Sequence, residues 1–294
     1  MEIVKITPQG FCKGVIRAIA IINKALENPN IKRPIYMLGG LVHNKHIINA
    51  YKNKGIIIID SIDNIHNGTI IITAHGISKK IIKEIKDRGL DIINATCFDV
   101  LKTHDLIQKK LDEGYDIILY GKSKHPETKG ILGISDKINL IESINDIDNL
   151  NINNLKLAFA TQTTMGYSDV LKIIEKLKLK YPHIETYEEV CTATKLRQNA
   201  LIETVDADLY IIVGDPTSNN TNKLREICEK MNRKTVMIEN TLDLKNINFE
   251  GINKVAITAG ASTPPAIVNE IIDAIKTKDF NTKLTDHDYL NYRT

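Results

Sequence analysis

At 294 residues, 43% hydrophobic and 26% charged, the chain can bury a substantial core in two or three α/β units. Its net charge of +3, from 39 basic and 36 acidic side chains, is too balanced for a nucleic-acid surface, and no basic arm supplies one locally. Four cysteines without a CxxC pair exclude a zinc ribbon or thioredoxin motif, no apolar run reaches membrane-span length, and the opening MEIVKITPQG lacks the regions of a signal peptide.

In chain order, each third repeats one programme. The first runs from Cys12 through a predicted helix Val15–Leu26, the strand IYML, the loop GGLVHN, a helix ending near Gly55, the strands IIIID and TIIITA, the loop HGIS and a helix through Lys86. The second runs from Cys97 through a helix to about Glu113, the strand DIILYG, the loop KSKHPETKG, a helical turn, INLIES, LAFATQTT and helix Ser168–Tyr181. The third runs from Cys191 through a helix to about Thr204, DLYIIVG, the loop DPTSNNTN, helix Lys223–Met231, TVMIEN, VAITAGAST and helix Ala266–Lys276.

Continuous Ile/Val runs alternating with amphipathic stretches predict βα units with parallel strands buried on both faces. The expected fold class is α/β: three pseudo-threefold-related lobes with mainly parallel sheets around a central cluster site. Their expected limits are 13–96, 97–190 and 191–294, the last completed by an N-terminal strand within 1–12 and trailed by a tail from about residue 278. The Asn-rich stretch 144–156 reads as a surface loop.

Cys12, Cys97 and Cys191 each close an apolar run and open a helical pattern. A thiol at a helix N-terminus sits among backbone N–H donors and a favourable dipole, which favours the metal-binding thiolate. One cysteine alone is usually a small core hydrophobe, the reading given to Cys228; three at equivalent junctions point to a shared metal. Three thiolates would hold zinc with an open position or an iron–sulfur cluster with one open iron. All-thiolate ligation suits the cluster better.

The first polar loop after each cysteine carries His43, His125 or Ser218, and the second carries His75, Thr163 or Ser262. Singly, these are capping residues. Together, with the hydroxyls and amides of TQTT, TSNNTN and GASTP, they would form an anion pocket of helix N-termini and imidazoles. Glu127 follows His125 on one rigid His-Pro-Glu turn; at a partly dry site it would be a proton donor with a raised pKa. His46, His66, His104, His183 and His287 read as surface or capping residues. GDPTSNN is not a Walker motif, and no GxGxxG follows the first strand.

The motifs PQGFCKGVIRAI, LVHN, AHGIS, ATCFDVLKTH, HPETKG, TQTT, CTATKLRQ, SNNTNKL and TAGASTP, in that order over roughly residues 3–275, resemble the 4-hydroxy-3-methylbut-2-enyl diphosphate reductases, the terminal enzymes of the non-mevalonate isoprenoid pathway. The resemblance implies a cloverleaf of α/β lobes around one [4Fe–4S] cluster per chain, held by Cys12, Cys97 and Cys191. It assigns an allylic diphosphate substrate to His43, His75, His125, Thr163, Thr164, Ser218, Asn219, Asn220 and Ser262. Glu127 is implied as proton source with Thr163 in its relay, and a ferredoxin or flavodoxin as electron donor. The implied reaction is a two-electron reduction with loss of water, giving isopentenyl and dimethylallyl diphosphate. A cytoplasmic enzyme is expected, or an organellar one if a transit peptide has been trimmed. Phe98 stands where the family typically has Pro, Asn219 where a second Ser is common, and Gly39-Gly40 where many relatives have His-Glu.

A non-catalytic phosphometabolite-binding protein and a zinc hydrolase using Glu127 as general base are the alternatives from other classes.

Overall fold

The computed structural model describes residues 1–204 and 206–291. The chain opens with β1 (Glu2–Lys5) and α1 (Lys13–Glu27), followed by β2 (Ile35–Leu38), α2 (Lys45–Asn53), β3 (Ile56–Ile59), β4 (Thr69–Ile72), α3 (Lys79–Asp87) and β5 (Asp91–Asn94). Next come α4 (Phe98–Asp112), β6 (Asp116–Tyr120), α5 (Pro126–Leu132), β7 (Ile138–Ile141), β8 (Leu157–Thr161), α6 (Tyr167–Lys180) and β9 (Glu185–Thr186). The last third holds α7 (Thr192–Glu203), β10 (Leu209–Val213), α8 (Asn219–Lys230), β11 (Thr235–Ile238), β12 (Lys254–Ala259), α9 (Pro265–Thr277) and α10 (Asp286–Leu290).

Three four-stranded sheets result, ordered β3-β2-β4-β5, β7-β6-β8-β9 and β11-β10-β12-β1. Within each, the first and third strands of the repeat are neighbours and run parallel, as β2–β4, β6–β8 and β10–β12. These inner strands are the most buried: every residue of β4, β8 and β10 is buried, which is why they read as unbroken apolar runs. The fourth strand of the last sheet comes from the start of the chain, Glu2 pairing with Lys254 and Lys5 with Ile257.

The fold divides into two compact units. One comprises Met1–Ile19, Gly40–Ile56 and the chain from Thr192 onward; the other comprises Ala20–Gly39 and Ile57–Cys191. The first unit is built on the β11-β10-β12-β1 sheet, with Ile211, Ile257, Ile267 and Ile271 at its centre. The second contains the other two sheets, with cores around Phe159 and Ile173 and around Ile70 and Ile85. Among the described residues, no helix is long and apolar enough to cross a membrane.

Several expectations need correction. α8 begins at Asn219, one turn before the expected Lys223, because Ser218 caps it through Oγ and the amide of Thr221. The stretch 144–156 opens with a 3₁₀ helix, Ile144–Asn149, closed by a reciprocal Ser143–Asp146 cap and burying Ile147. The tail contains α10. His104 is buried at 6% exposure rather than a surface residue, whereas Cys228 is the core residue that the sequence predicts, at 0%.

Candidate active site

In the first two sheets the chain leaves the first strand of the repeat towards the second on one side and leaves the third towards the fourth on the other; in the last sheet, where β1 supplies the fourth strand, it leaves β10 towards β11 and β12 into α9. Loops part at that switch point, and the crevice between them is where open parallel sheets take ligands. The chain spends its polar residues there in register. Five residues past the end of the first strand stand His43 (after Leu38), His125 (after Tyr120) and Ser218 (after Val213). Three past the end of the third stand His75 (after Ile72), Thr164 (after Thr161) and Ser262 (after Ala259). Thr164, rather than Thr163, thus holds the place of His75 and Ser262.

Thr163 takes a different place, two residues past β8, equivalent to Ala74 and Ala261. These three carbonyls accept the backbone N–H groups of the three cysteines: Cys12 from Ala261 at 3.2 Å, Cys97 from Ala74 at 3.0 Å, Cys191 from Thr163 at 2.9 Å. Each cysteine is the residue immediately before a helix (α1, α4, α7), is partly buried, and forms no disulfide. Cys97 is the N-cap of α4 yet makes no side-chain cap bond. Held by the backbone at three like positions, with soft donors and no disulfide, the three thiols fit the ligand set of an iron–sulfur cluster.

In the first unit, the β10/β12 crevice brings Ser218, Ser262 and the His43 segment together. Ser262 Oγ donates to the His43 carbonyl (3.1 Å) and lies 3.2 Å from Ser218 Oγ. Ser218 is 3% exposed and caps α8, whose second residue, Asn220, donates from Nδ2 to Thr194 Oγ1 at 3.2 Å and keeps a buried Oδ1 without a partner. Asn219, the first residue of α8, is half-buried. Asp215, which the sequence did not single out, ties these loops together. It accepts from the amide of Lys45 at the start of α2 (3.1 Å) and from the amide and hydroxyl of Thr217 (2.8 and 2.6 Å). Those hydrogen bonds outweigh partial burial and hold its carboxyl below the ordinary range. Burial lowers the His43 pKa while the Asp215 charge opposes the change. A neutral imidazole and two hydroxyls beside a helix N-terminus can receive phosphate oxygens without a lysine or arginine.

Gly214 lets the β10 loop pass this close. It has φ +150°, and a Cβ there would stand 2.6 Å from Thr221 Oγ1 and 2.8 Å from Thr263 Oγ1.

In the second unit, the β6/β8 crevice holds the acid. Glu127 is 1% exposed on the first turn of α5. Thr163 donates to it from its amide (2.7 Å, Oε1) and its hydroxyl (3.0 Å, Oε2). Burial pushes the Glu127 pKa up to about 7, the two Thr163 bonds restrain the rise, and the Asp99 charge adds to it. His125, the N-cap of α5, accepts the Glu127 amide at Nδ1 (3.2 Å), so its ring proton resides on Nε2. The His75 and His125 rings meet edge to face at 5.2 Å. Gln162, the one side-chain amide of TQTT, accepts from the Lys122 amide (3.0 Å) and Thr128 hydroxyl (3.2 Å) and donates to Thr164 Oγ1 (2.9 Å), bracing both sides of the crevice. The sequence marks this amide as part of the polar run but not as a brace between loops.

Comparison with known proteins shows the family. The family model described as LytB protein matches residues 3–276. The 4-hydroxy-3-methylbut-2-enyl diphosphate reductases of Lysinibacillus sphaericus and Geobacillus kaustophilus are 46% and 44% identical, each over 97% of this chain and 91% and 93% of their own. The solved E-1-hydroxy-2-methyl-but-2-enyl-4-diphosphate reductase of Plasmodium falciparum superposes with a TM-score of 0.89 at 36% identity, covering 97% of this chain and 91% of that one. A second solved structure, titled as (E)-4-hydroxy-3-methyl-but-2-enyl diphosphate reductase, the terminal enzyme of the non-mevalonate pathway, matches at TM-score 0.67 and 30% identity over 94% of this chain and all of its own. With its three repeated parallel sheets, a family match over nearly its whole length and relatives more than 40% identical along it, the chain belongs to the LytB family.

Proposed function

We propose that this protein is an iron–sulfur reductase that converts 4-hydroxy-3-methylbut-2-enyl diphosphate to isopentenyl and dimethylallyl diphosphate. Two electrons and two protons enter, the terminal C–O bond breaks, and the hydroxyl leaves as water. The observation that carries this reading is Glu127, a buried acid poised near neutrality by opposing effects of burial and Thr163. Hydroxide leaves poorly at neutral pH, so a proton held at a dry site is what the reaction needs.

The residues divide the work. His43, His75, His125, Thr164, Ser218, Asn219, Asn220 and Ser262 bind the diphosphate. Its contacts turn binding energy into orientation of the short carbon chain. The imidazoles of His43 and His125 donate to phosphate oxygens, while Asp215 and Gln162 hold the loops. Glu127 gives its proton to the departing oxygen, and Thr163 keeps the carboxyl aimed through both oxygens.

Cys12, Cys97 and Cys191 would hold one [4Fe–4S] cluster, which supplies electrons singly and a Lewis-acidic iron at the hydroxyl. The limits 13–96, 97–190 and 191–294 are assigned to three lobes in the same proposal. Electrons come from a small redox protein of ferredoxin or flavodoxin type, in the cytoplasm.

The test is anaerobic turnover of the hydroxy-diphosphate with a chemical reductant and identification of both products. Brown protein with air-sensitive visible absorption and the two diphosphates as products is expected. Colourless protein after reconstitution with iron and sulfide would overturn the proposal, as would stoichiometric zinc with redox-independent hydrolysis, or tight diphosphate binding without turnover.

A further inference from the structure

The tail beyond residue 276 lies outside the span matched by the family model, yet it is built into the same compact unit as His43. Thr285 and Asp288 close a reciprocal cap on α10, the Thr285 amide and hydroxyl donating to Asp288 at 2.8 and 2.7 Å. Leu290 is buried, and Phe280, Leu284 and Tyr289 pack on the core of that unit. So anchored, α10 meets α2 at both ends. The Tyr289 ring lies 4.8 Å from the imidazole of His46 in the first turn of α2. Asn53, the last residue of α2, donates from Nδ2 to Asp286 at 2.6 Å.

α2 has nine residues, a rod of about 13 Å at 1.5 Å per residue, and it begins two residues after His43. Its inner face seats only Ile47, Ala50 and Tyr51. A helix this short has little stability of its own and takes its orientation from what it touches. His46 and Asn53 are two turns apart on one stripe, and α10 covers that stripe. The His43 end is tied by the Lys45 amide to Asp215 and by Lys45 Nζ to Glu239 at 2.7 Å, while α10 grips the far end as well.

We propose that Asp286 and Tyr289 are positioning residues for substrate binding: through α2 they fix where His43 presents its imidazole to the diphosphate. This rests on the diphosphate reading above. An anchor that shifts by about 1 Å loses much of the orientation it provides, so loosening α10 raises KM and weakens pyrophosphate, with the proton donor on α5 and its kcat contribution untouched.

The test uses the reconstituted holoenzyme with inorganic pyrophosphate as competitive inhibitor. Asn53→Asp, which sets two carboxylates against each other, and Tyr289→Ala are expected to raise KM and the pyrophosphate Ki together by roughly tenfold, with kcat changed by less than about twofold. Asn53→Asp combined with Asp286→Asn exchanges the partners and restores both constants. Folded single variants with native KM and Ki would overturn the inference, as would a double variant that fails to recover, or a fall in kcat alone. A native enzyme that turns over its substrate but ignores pyrophosphate would also overturn it. A native enzyme that does neither would remove the diphosphate reading, and this inference with it.

Discussion

Thr163 joins Glu127 to Cys191: its amide and hydroxyl donate to the two oxygens of the carboxylate, and its carbonyl accepts the cysteine's N–H at 2.9 Å. One residue therefore sets the position of both the proton donor and a thiol, so a shift of the β8 loop moves the two together.

Because the Glu127 pKa is raised to about 7, its acid form predominates below that pH and is lost above it. kcat is expected to fall as pH rises through about 7 with a one-proton limb. Glu127→Gln should remove the limb and lower kcat by at least about a hundredfold, with KM little changed. Anaerobic single-turnover rates from pH 6 to 8 check this; a flat native profile contradicts it.

The Thr163 hydroxyl bond lowers the Glu127 pKa. Thr163→Val removes that bond but keeps the amide one, so the carboxyl rises further and the alkaline limb moves to higher pH. The same rate profile reads the shift, and a move to lower pH would count against the assignment.

Stability follows with a definite sign. A carboxyl whose folded pKa lies above its unfolded value stabilises the fold below about 4.5, and that contribution is lost as pH rises through about 7. For this fully buried group the span is about 3 kcal/mol. The thermal midpoint of the native protein should drop between pH 5 and 8, and that of Glu127→Gln should drop less.

Asp215→Ala strips acceptors from the Lys45 and Thr217 amides and frees the His43 and Ser218 loops. Leaving such donors unmet costs about 1–3 kcal/mol, and KM should rise about tenfold, measured by steady-state kinetics alongside chemical denaturation.

The cysteines engage their loops through backbone N–H groups, so Cys12→Ser, Cys97→Ser and Cys191→Ser should each stay folded while losing iron and visible colour. Cys228→Ser should keep its iron and instead lose about 1–3 kcal/mol, because a hydroxyl enters a fully buried core position. Iron analysis and circular dichroism separate the two outcomes.

Repetition made the site legible. Ile/Val runs marked the inner strands, and similar spacing placed His43, His125 and Ser218 in like loops before any coordinates. What stayed hidden depended on contacts distant in sequence. Asp215 looks like an ordinary turn residue until the Lys45 amide arrives from 170 positions away. The first turn of α8 was missed because NNTN is wholly polar, and the Ser218 cap rather than periodicity begins that helix. His104 sits on a helix of mixed charge, yet α5 closes over it at Gly130, where a Cβ would stand 3.5 Å from the imidazole. The tail has weak periodicity because, among its described residues, only five form a helix, and they pack on α2, another short helix, and on α9.

The pairing of β1 with β12 sets the order in which this molecule can be finished. The strand at Glu2–Lys5 is made before its neighbour at Lys254–Ala259, which follows more than two hundred residues later. At roughly 5–20 residues per second that is about 13 to 50 seconds of translation with an edge strand waiting unmatched. Residues 57–191 form an unbroken stretch that can settle in the meantime. Cys12, seven positions after β1, therefore takes its final place only once β12 has been made, and a site that draws on it is completed after that strand rather than before.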